Sequence, residues 1–219
     1  MPTSLNQEIH SIERETLPIN TFIIVRGMPG SGKSTLLEAA QEHFSFELID
    51  PDITYNCPDE FEAYVRHRAE SDKVFEKLDI DNQMYRFHTH KCVEALKSGK
   101  AVIWAQAWSK IEGVQLTIEN MRELVSSDLI PVVVELTISD AEAEHRVVNR
   151  FAARQHRLSP EEFAQKFRSK FEIVDPTTID ESYVHMNLNG NSAEYNLEAF
   201  LGLLSTLHLL TPEARESNH

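Results

Sequence analysis

The chain is short of positive charge: 21 Lys and Arg stand against 35 Asp and Glu, a formal net charge of −14 at pH 7. That balance excludes the broad basic field that holds a nucleic-acid backbone, though not a local basic cleft within an acidic surface. Cysteine is scarce too. Cys57 and Cys92, the two present, lie far apart and outside any metal-ligand spacing, so they read as free thiols of a reducing compartment. The histidines His88, His90, His145 and His156 lack Cys or carboxylate partners at ligand spacing and read as surface or structural residues. No apolar run is long enough to span a bilayer, and residues 1–15 are polar and mixed in charge, without an apolar signal core. A cytoplasmic location is the expectation. Internal repeats and low-complexity tracts are missing as well. What is present is ordinary for a globular chain: 219 residues, 41% hydrophobic and 26% charged, enough for one substantial core with a small helical insertion.

Glycine is sparse, 7 in all, yet three of them fall in one stretch, Gly27-Met28-Pro29-Gly30-Ser31-Gly32-Lys33-Ser34-Thr35. This fits the phosphate-binding pattern in which a glycine, four residues and a second glycine lead into Lys and Ser. Its flanks agree. Thr21 to Val25 is a β-branched apolar run suited to a buried parallel strand. Leu36 to Phe44 contains good helix formers with apolar residues at helical spacing. Strand, glycine loop and helix together are the context the motif needs. Glycines open backbone angles closed to other residues and let amide groups approach a polyphosphate. The helix then points its positive dipole end at the same anion. Lys33 suits the β- and γ-phosphates of a nucleoside triphosphate, and the Ser34 hydroxyl suits Mg²⁺.

The rest of the chain reads as alternating strands and helices. Residues 1–18 form an arm with weak helical character. Phe46 to Asp50 is a short strand whose end, Asp50-Pro51-Asp52, places two carboxylates at the edge where open α/β folds bind ligands. Residues 59–97 are helical throughout and form a substrate-side region. Strands follow at Ala101–Gln106 and Ile130–Thr137, with an amphipathic helix over Ile118–Ser127 between them. Ser139 or Asp140 caps a helix carrying Arg146, Arg150, Arg154 and Arg157. Ser159-Pro160-Glu161-Glu162 carries a capping pattern with Pro in the first turn. Val184–Leu188 is the last strand, Glu194–Leu209 the last helix, and 211–219 a tail. The reading is one α/β domain over 1–219: a three-layer α/β/α sandwich with a parallel five-stranded sheet, a helical insertion and a lid over 139–174.

The glycine loop, the Asp50-x-Asp52 strand end and the arginine-bearing helix after the fourth strand together resemble one group of P-loop kinases. These are the polynucleotide 5′-kinase, chloramphenicol phosphotransferase and zeta-toxin-like enzymes, and the likeness covers about residues 21–157. It implies ATP and Mg²⁺ as ligands and transfer of the γ-phosphate to a hydroxyl of a small molecule, such as a nucleoside, nucleotide sugar or antibiotic-like acceptor. In that group an aspartate just after the second strand takes the hydroxyl proton; Asp52 matches best, with Asp50 the alternate. The resemblance also assigns phosphate clamping to the helix arginines, here chiefly Arg150 and Arg154, although a charged helix face often only pairs with its own acids, here Glu142, Glu144 or Glu161.

One departure from the pattern concerns metal support. Many P-loop enzymes have an acidic residue near the end of the strand beside the P-loop strand, and Gln106 stands there instead. Metal support then falls to Ser34, Asp52, Asp50 or water. Gln106 is a candidate to hydrogen-bond the acceptor and Trp108 to stack on it, while Trp104 reads as core. Two other functions fit the same motif. A polynucleotide 5′-hydroxyl kinase needs a basic groove near Asp52, and a nucleotide-hydrolysing switch needs a flat partner surface there instead of a deep second pocket.

Overall fold

The computed structural model describes residues 14–51, 58–67, 83–154, 159, 161–162, 165, 168–174, 183–189 and 192–209. The strands are β1 (Glu15–Thr16), β2 (Thr21–Gly27), β3 (Phe44–Ser45), β4 (Glu47–Ile49), β5 (Val102–Ala105), β6 (Ile130–Thr137) and β7 (Val184–Asn189). The helices are α1 (Lys33–Ala40), α2 (Pro58–Arg66), α3 (Gln83–Lys97), α4 (Ile111–Leu124), α5 (Asp140–Arg154) and α6 (Ala193–His208). Five strands form one sheet in the order β4-β5-β2-β6-β7, and every pairing in it is parallel. The expected three-layer fold is present.

The sheet is parallel because its successive strands are joined by crossovers, and its centre is apolar because both faces are covered. Alternation along β2 shows this directly. Ile23 and Val25 face one core with Leu36, Leu37 and Ala40 of α1 and Phe200 and Leu204 of α6. Phe22 and Ile24 face a second core with Cys92 and Val93 of α3 and Ile118 and Met121 of α4. Trp104 is fully buried in that second core.

Three boundaries differ from the sequence reading. The first helix stops at Ala40 instead of reaching Phe44, because Phe44–Ser45 pairs in parallel with Glu15–Thr16 as a two-stranded sheet. That pairing also makes part of the expected helical arm extended. Helix α4 starts at Ile111, two turns before the expected Ile118, for a reason given below. In the 59–97 region, α2 and α3 are helical as read, and residues 68–82 lie outside the described residues, as do Cys57, His156, Arg157 and the tail over 211–219. The caps hold: Ser139 Oγ accepts from Glu142 N (3.3 Å), and Ser159 and Glu162 cap each other reciprocally at 3.1 and 3.0 Å.

His88 lies in α3, 1% exposed, against the rings of Phe87 and Trp104. Burial, with Lys91 nearby, lowers its pKa from 6.5 to about 4. Between those values the unfolded chain binds a proton that the folded one does not, so stability is complete above about pH 6.5 and falls as pH drops toward 4. We expect His88→Phe to remove about 3 kcal/mol of this acid-side loss, measured as the difference in urea-unfolding free energy between pH 7 and pH 4. Parallel profiles for the two proteins would refute the assignment. Cys92, fully buried, has its thiol pKa pushed well up by burial, which leaves it a packing residue and a poor nucleophile.

Candidate active site

The glycine loop connects the carboxyl end of the central strand β2 to the first turn of α1. Gly27 has no room for a side chain: an added Cβ would stand 2.6 Å from the Leu136 carbonyl oxygen and 2.7 Å from Ser31 Oγ. Gly32, at the N-cap of α1, has φ 95°, a left-handed conformation that favours glycine. No side chain caps α1 among the described residues. Its first-turn amides have no partner inside the helix, and the dipole end they form faces the loop. Lys33 Nζ donates to the carbonyls of Gly27 (2.8 Å) and Met28 (3.2 Å), which brings a cation over the amide cradle. Ser31 is buried and its Oγ finds no hydrogen-bond partner among the described residues. Ser34 is half-buried and Thr35 exposed. An uncapped helix end, a lysine and hydroxyls form a donor set suited to a polyphosphate and its hard cation.

Beside this loop, at the same sheet edge, is a cleft of about 410 Å³, widely open to solvent, lined by Pro51, Gln106, Trp108, Ser109, Lys110 and Gly113. The connection after β5 builds one wall and is tied to the P-loop, since Gly27 N donates to the Ala107 carbonyl (3.4 Å). Gln106 Oε1 accepts from Trp104 Nε1 (3.2 Å), which fixes the amide. Trp108 has φ 48°, the one positive value at a non-glycine among the described residues. It is 6% exposed, packs edge-on to Trp104 with ring centroids 4.9 Å apart, and leaves its Nε1 without a partner among the described residues. Strain and an orphaned donor at one residue are features that collect at binding sites. Trp108 therefore belongs to both the core and the cleft wall.

The cleft rim explains the early start of α4. Lys110, its N-cap residue, provides no side-chain cap. Glu172 provides one from 61 positions away: its Oε2 accepts from Ile111 N (3.0 Å), and its Oε1 accepts from Lys110 Nζ (2.6 Å). The Lys110 ammonium, then the Ile111 amide, hold the Glu172 carboxyl below its ordinary pKa. Glu172 N also donates to the Ser109 carbonyl (2.9 Å). No local pattern in 111–118 announces a cap supplied this way.

Under the loop lies a charged cluster that sequence reasoning passed over. Arg26 and Glu135 are register partners on β2 and β6, each fully buried, with Arg26 Nη1 3.7 Å from Glu135 Oε2. Arg26 Nη2 donates to the Glu172 carbonyl (2.5 Å), and its guanidinium lies 4.6 Å from the Phe171 ring centre. Glu135 Oε2 accepts from Val174 N (3.3 Å) and has His185 Nε2 at 3.5 Å. Burial lowers the Arg26 pKa, and Glu135 counters it. An acid does flank the P-loop strand on β6, but it is buried against Arg26, and Gln106 stands on the β5 side. A buried Arg–Glu pair inside apolar strands was legible only as two interruptions of period.

Helix α5 meets the loop through a different arginine from the two singled out above. Arg146 donates to Glu142 (2.7 Å) and to the Gly30 carbonyl (3.2 Å). Arg150 and Arg154 belong to α5, but their side chains lie outside the described residues. So does Asp52, whereas Asp50 directly follows β4. No group of His, Cys, Asp and Glu able to hold a metal occurs among the described residues, and no described helix is long and apolar enough to cross a membrane.

A family model described as an AAA domain matches residues 22–174. No curated protein matches the chain. Solved structures do. A candidate kinase from Chloroflexus aurantiacus has TM-score 0.58 and 15% identity, over 85% of this chain and 97% of that one. A sugar kinase from Janibacter sp. HTCC2649 has TM-score 0.52 and 15% identity, over 84% and 94%. A gluconokinase from Sinorhizobium meliloti has TM-score 0.51 and 18% identity, over 92% and 99%. At such identities the likeness concerns the fold, a parallel α/β sheet opened by a P-loop. With the family model spanning most of its length and beginning at the strand that leads into the glycine loop, the chain belongs to the AAA domain family.

Proposed function

We propose that this protein is an ATP-dependent kinase that transfers the γ-phosphate to a hydroxyl of a small molecule, such as a nucleoside, nucleotide sugar or antibiotic-like acceptor. The observation that carries the reading is the juxtaposition of two sites on one sheet edge. One is the uncapped α1 end with Lys33 above it; the other is the open cleft lined by Gln106 and Trp108. A nucleotide switch needs only the first. The kinase and sugar-kinase names of the fold neighbours point the same way.

In this reading Gly27, Met28, Pro29, Gly30, Ser31, Gly32, Lys33, Ser34 and Thr35 bind the phosphates. Lys33, Arg150 and Arg154 neutralise charge on the transferred group. Ser34 and Asp52 would hold Mg²⁺, which when bound neutralises the β- and γ-oxygens. Asp52, or Asp50 in its place, accepts the hydroxyl proton while the alcohol oxygen bonds to phosphorus and the β–γ bridging bond breaks, leaving ADP. Gln106 and Trp108 orient the acceptor. The acidic chain, and a cleft wall whose one cation, Lys110, is already paired with Glu172, set a small molecule ahead of a polynucleotide. The further likeness to the polynucleotide 5′-kinase, chloramphenicol phosphotransferase and zeta-toxin-like group belongs to the same proposal.

The test is a transfer screen with γ-labelled ATP and Mg²⁺ across nucleosides, nucleotide sugars, aminoglycosides and oligonucleotide ends. Label on a small alcohol supports the reading, and label only on oligonucleotide ends replaces it. Asp52→Asn is expected to cut turnover about a hundredfold with nucleotide affinity little changed, as for loss of a general base. An unchanged turnover would transfer the role to Asp50.

A further inference from the structure

Residues 168–174 run back from the lid region along the sheet edge. Arg168 pairs with Asp140 (3.2 Å) and Glu144 (3.1 Å) at the start of α5. Four residues on, Glu172 touches three parts of the site at once. Its main chain bonds to Ser109 and to Arg26, the residue immediately before Gly27. Its carboxylate bonds to Lys110 and Ile111 on the cleft rim. A structural cap would need only the last of these contacts.

We propose that Glu172 is a positioning residue for phosphoryl transfer, locking the Ser109–Ile111 rim of the acceptor cleft to the strand that carries the phosphate loop. The inference rests on the kinase reading of the same cleft. Its physical content is geometric. In-line transfer demands that acceptor and phosphate be held in one frame, and a rim free to shift relative to the loop loses that alignment. Arg26 anchors Glu172 to the loop strand from within the core, and the Glu172 carboxylate carries the anchorage to the rim. Because both main-chain bonds survive substitution and the side chain is 45% exposed, Glu172→Ala is expected to fold.

The experiment is hydrogen exchange of the full chain with and without MgATP. In the wild-type protein, MgATP is expected to protect amides of 28–35 and of 109–113 together. In Glu172→Ala the rim amides should exchange at least about tenfold faster and lose their response to MgATP, while 28–35 stay protected. Glu172→Gln, which can still accept from Ile111 N, should restore most of the response. With any acceptor found in the screen, Glu172→Ala should raise the acceptor KM about tenfold and leave the ATP KM within about twofold. Should Glu172→Ala fail to fold, Lys110→Met removes the same ion pair from the rim and is expected to raise rim exchange. A wild-type response at 109–113 in Glu172→Ala, with 28–35 protected, overturns the inference alone. No MgATP protection at 28–35 in the wild-type protein removes the kinase reading and the inference with it.

Discussion

Lys33→Ala should reduce phosphate transfer on the order of a thousandfold, as expected when a preorganised cation aimed at developing charge is removed. The fold should survive. Lys33 is partly exposed, so water replaces much of what its bonds to the Gly27 and Met28 carbonyls contribute, leaving a net loss of about 2 kcal/mol. The melting temperature should therefore fall by no more than about 8 °C. Titration with a fluorescent ATP analogue, calorimetry and the labelled-ATP assay separate these effects. Weak binding with a cooperative melt only a few degrees lower is the expected pattern. Transfer within about tenfold of the wild type would show that the loop amides and the α5 arginines carry the phosphate without the lysine.

Glu135→Ala should have the largest effect on stability, about 3–5 kcal/mol, because it leaves the Arg26 guanidinium charged and buried without its acid. It also deprives Val174 N of its acceptor. For a chain of this size the melting temperature should drop by about 10 °C. Glu135→Gln, which can still accept from Val174, should cost less. Arg26→Met with Glu135→Leu should recover part of the loss, since replacing both members of a buried pair with apolar groups is often neutral. A Glu135→Ala protein within about 1 kcal/mol of the wild type would mean that the pair is not what holds β2 and β6 at the loop end. Were stability unaffected but rim exchange raised, the cluster would serve the site instead of the fold.

The two substitutions probe different levels of information. Lys33 is readable because its motif is local: strand, glycines, lysine and helix lie within about twenty residues, and each element needs its own residue type there. For the same reason β6 is found at the expected bounds, Ile130–Thr137, and the Ser159–Glu162 box caps as its spacing requires. The pairing of Arg26 with Glu135 is not readable in this way. It arises from the register of strands more than a hundred positions apart, and two charges inside apolar runs do not say whether they meet. The same holds for Arg146, one of four arginines on a face; only the docking of α5 brings it to Gly30.

Local periodicity and punctuation thus sufficed for the order of the five strands of the main sheet, their parallel pairing and the phosphate loop, because hydrophobic spacing and glycine conformations are properties of adjacent residues. Tertiary structure alone decided where β1 pairs, why α4 begins at Ile111, and which groups share the sheet edge with Lys33. Those features depend on contacts such as Glu172 to Ile111 and Arg26 to Glu172, in which partners far apart in the chain satisfy each other's buried or terminal polar groups.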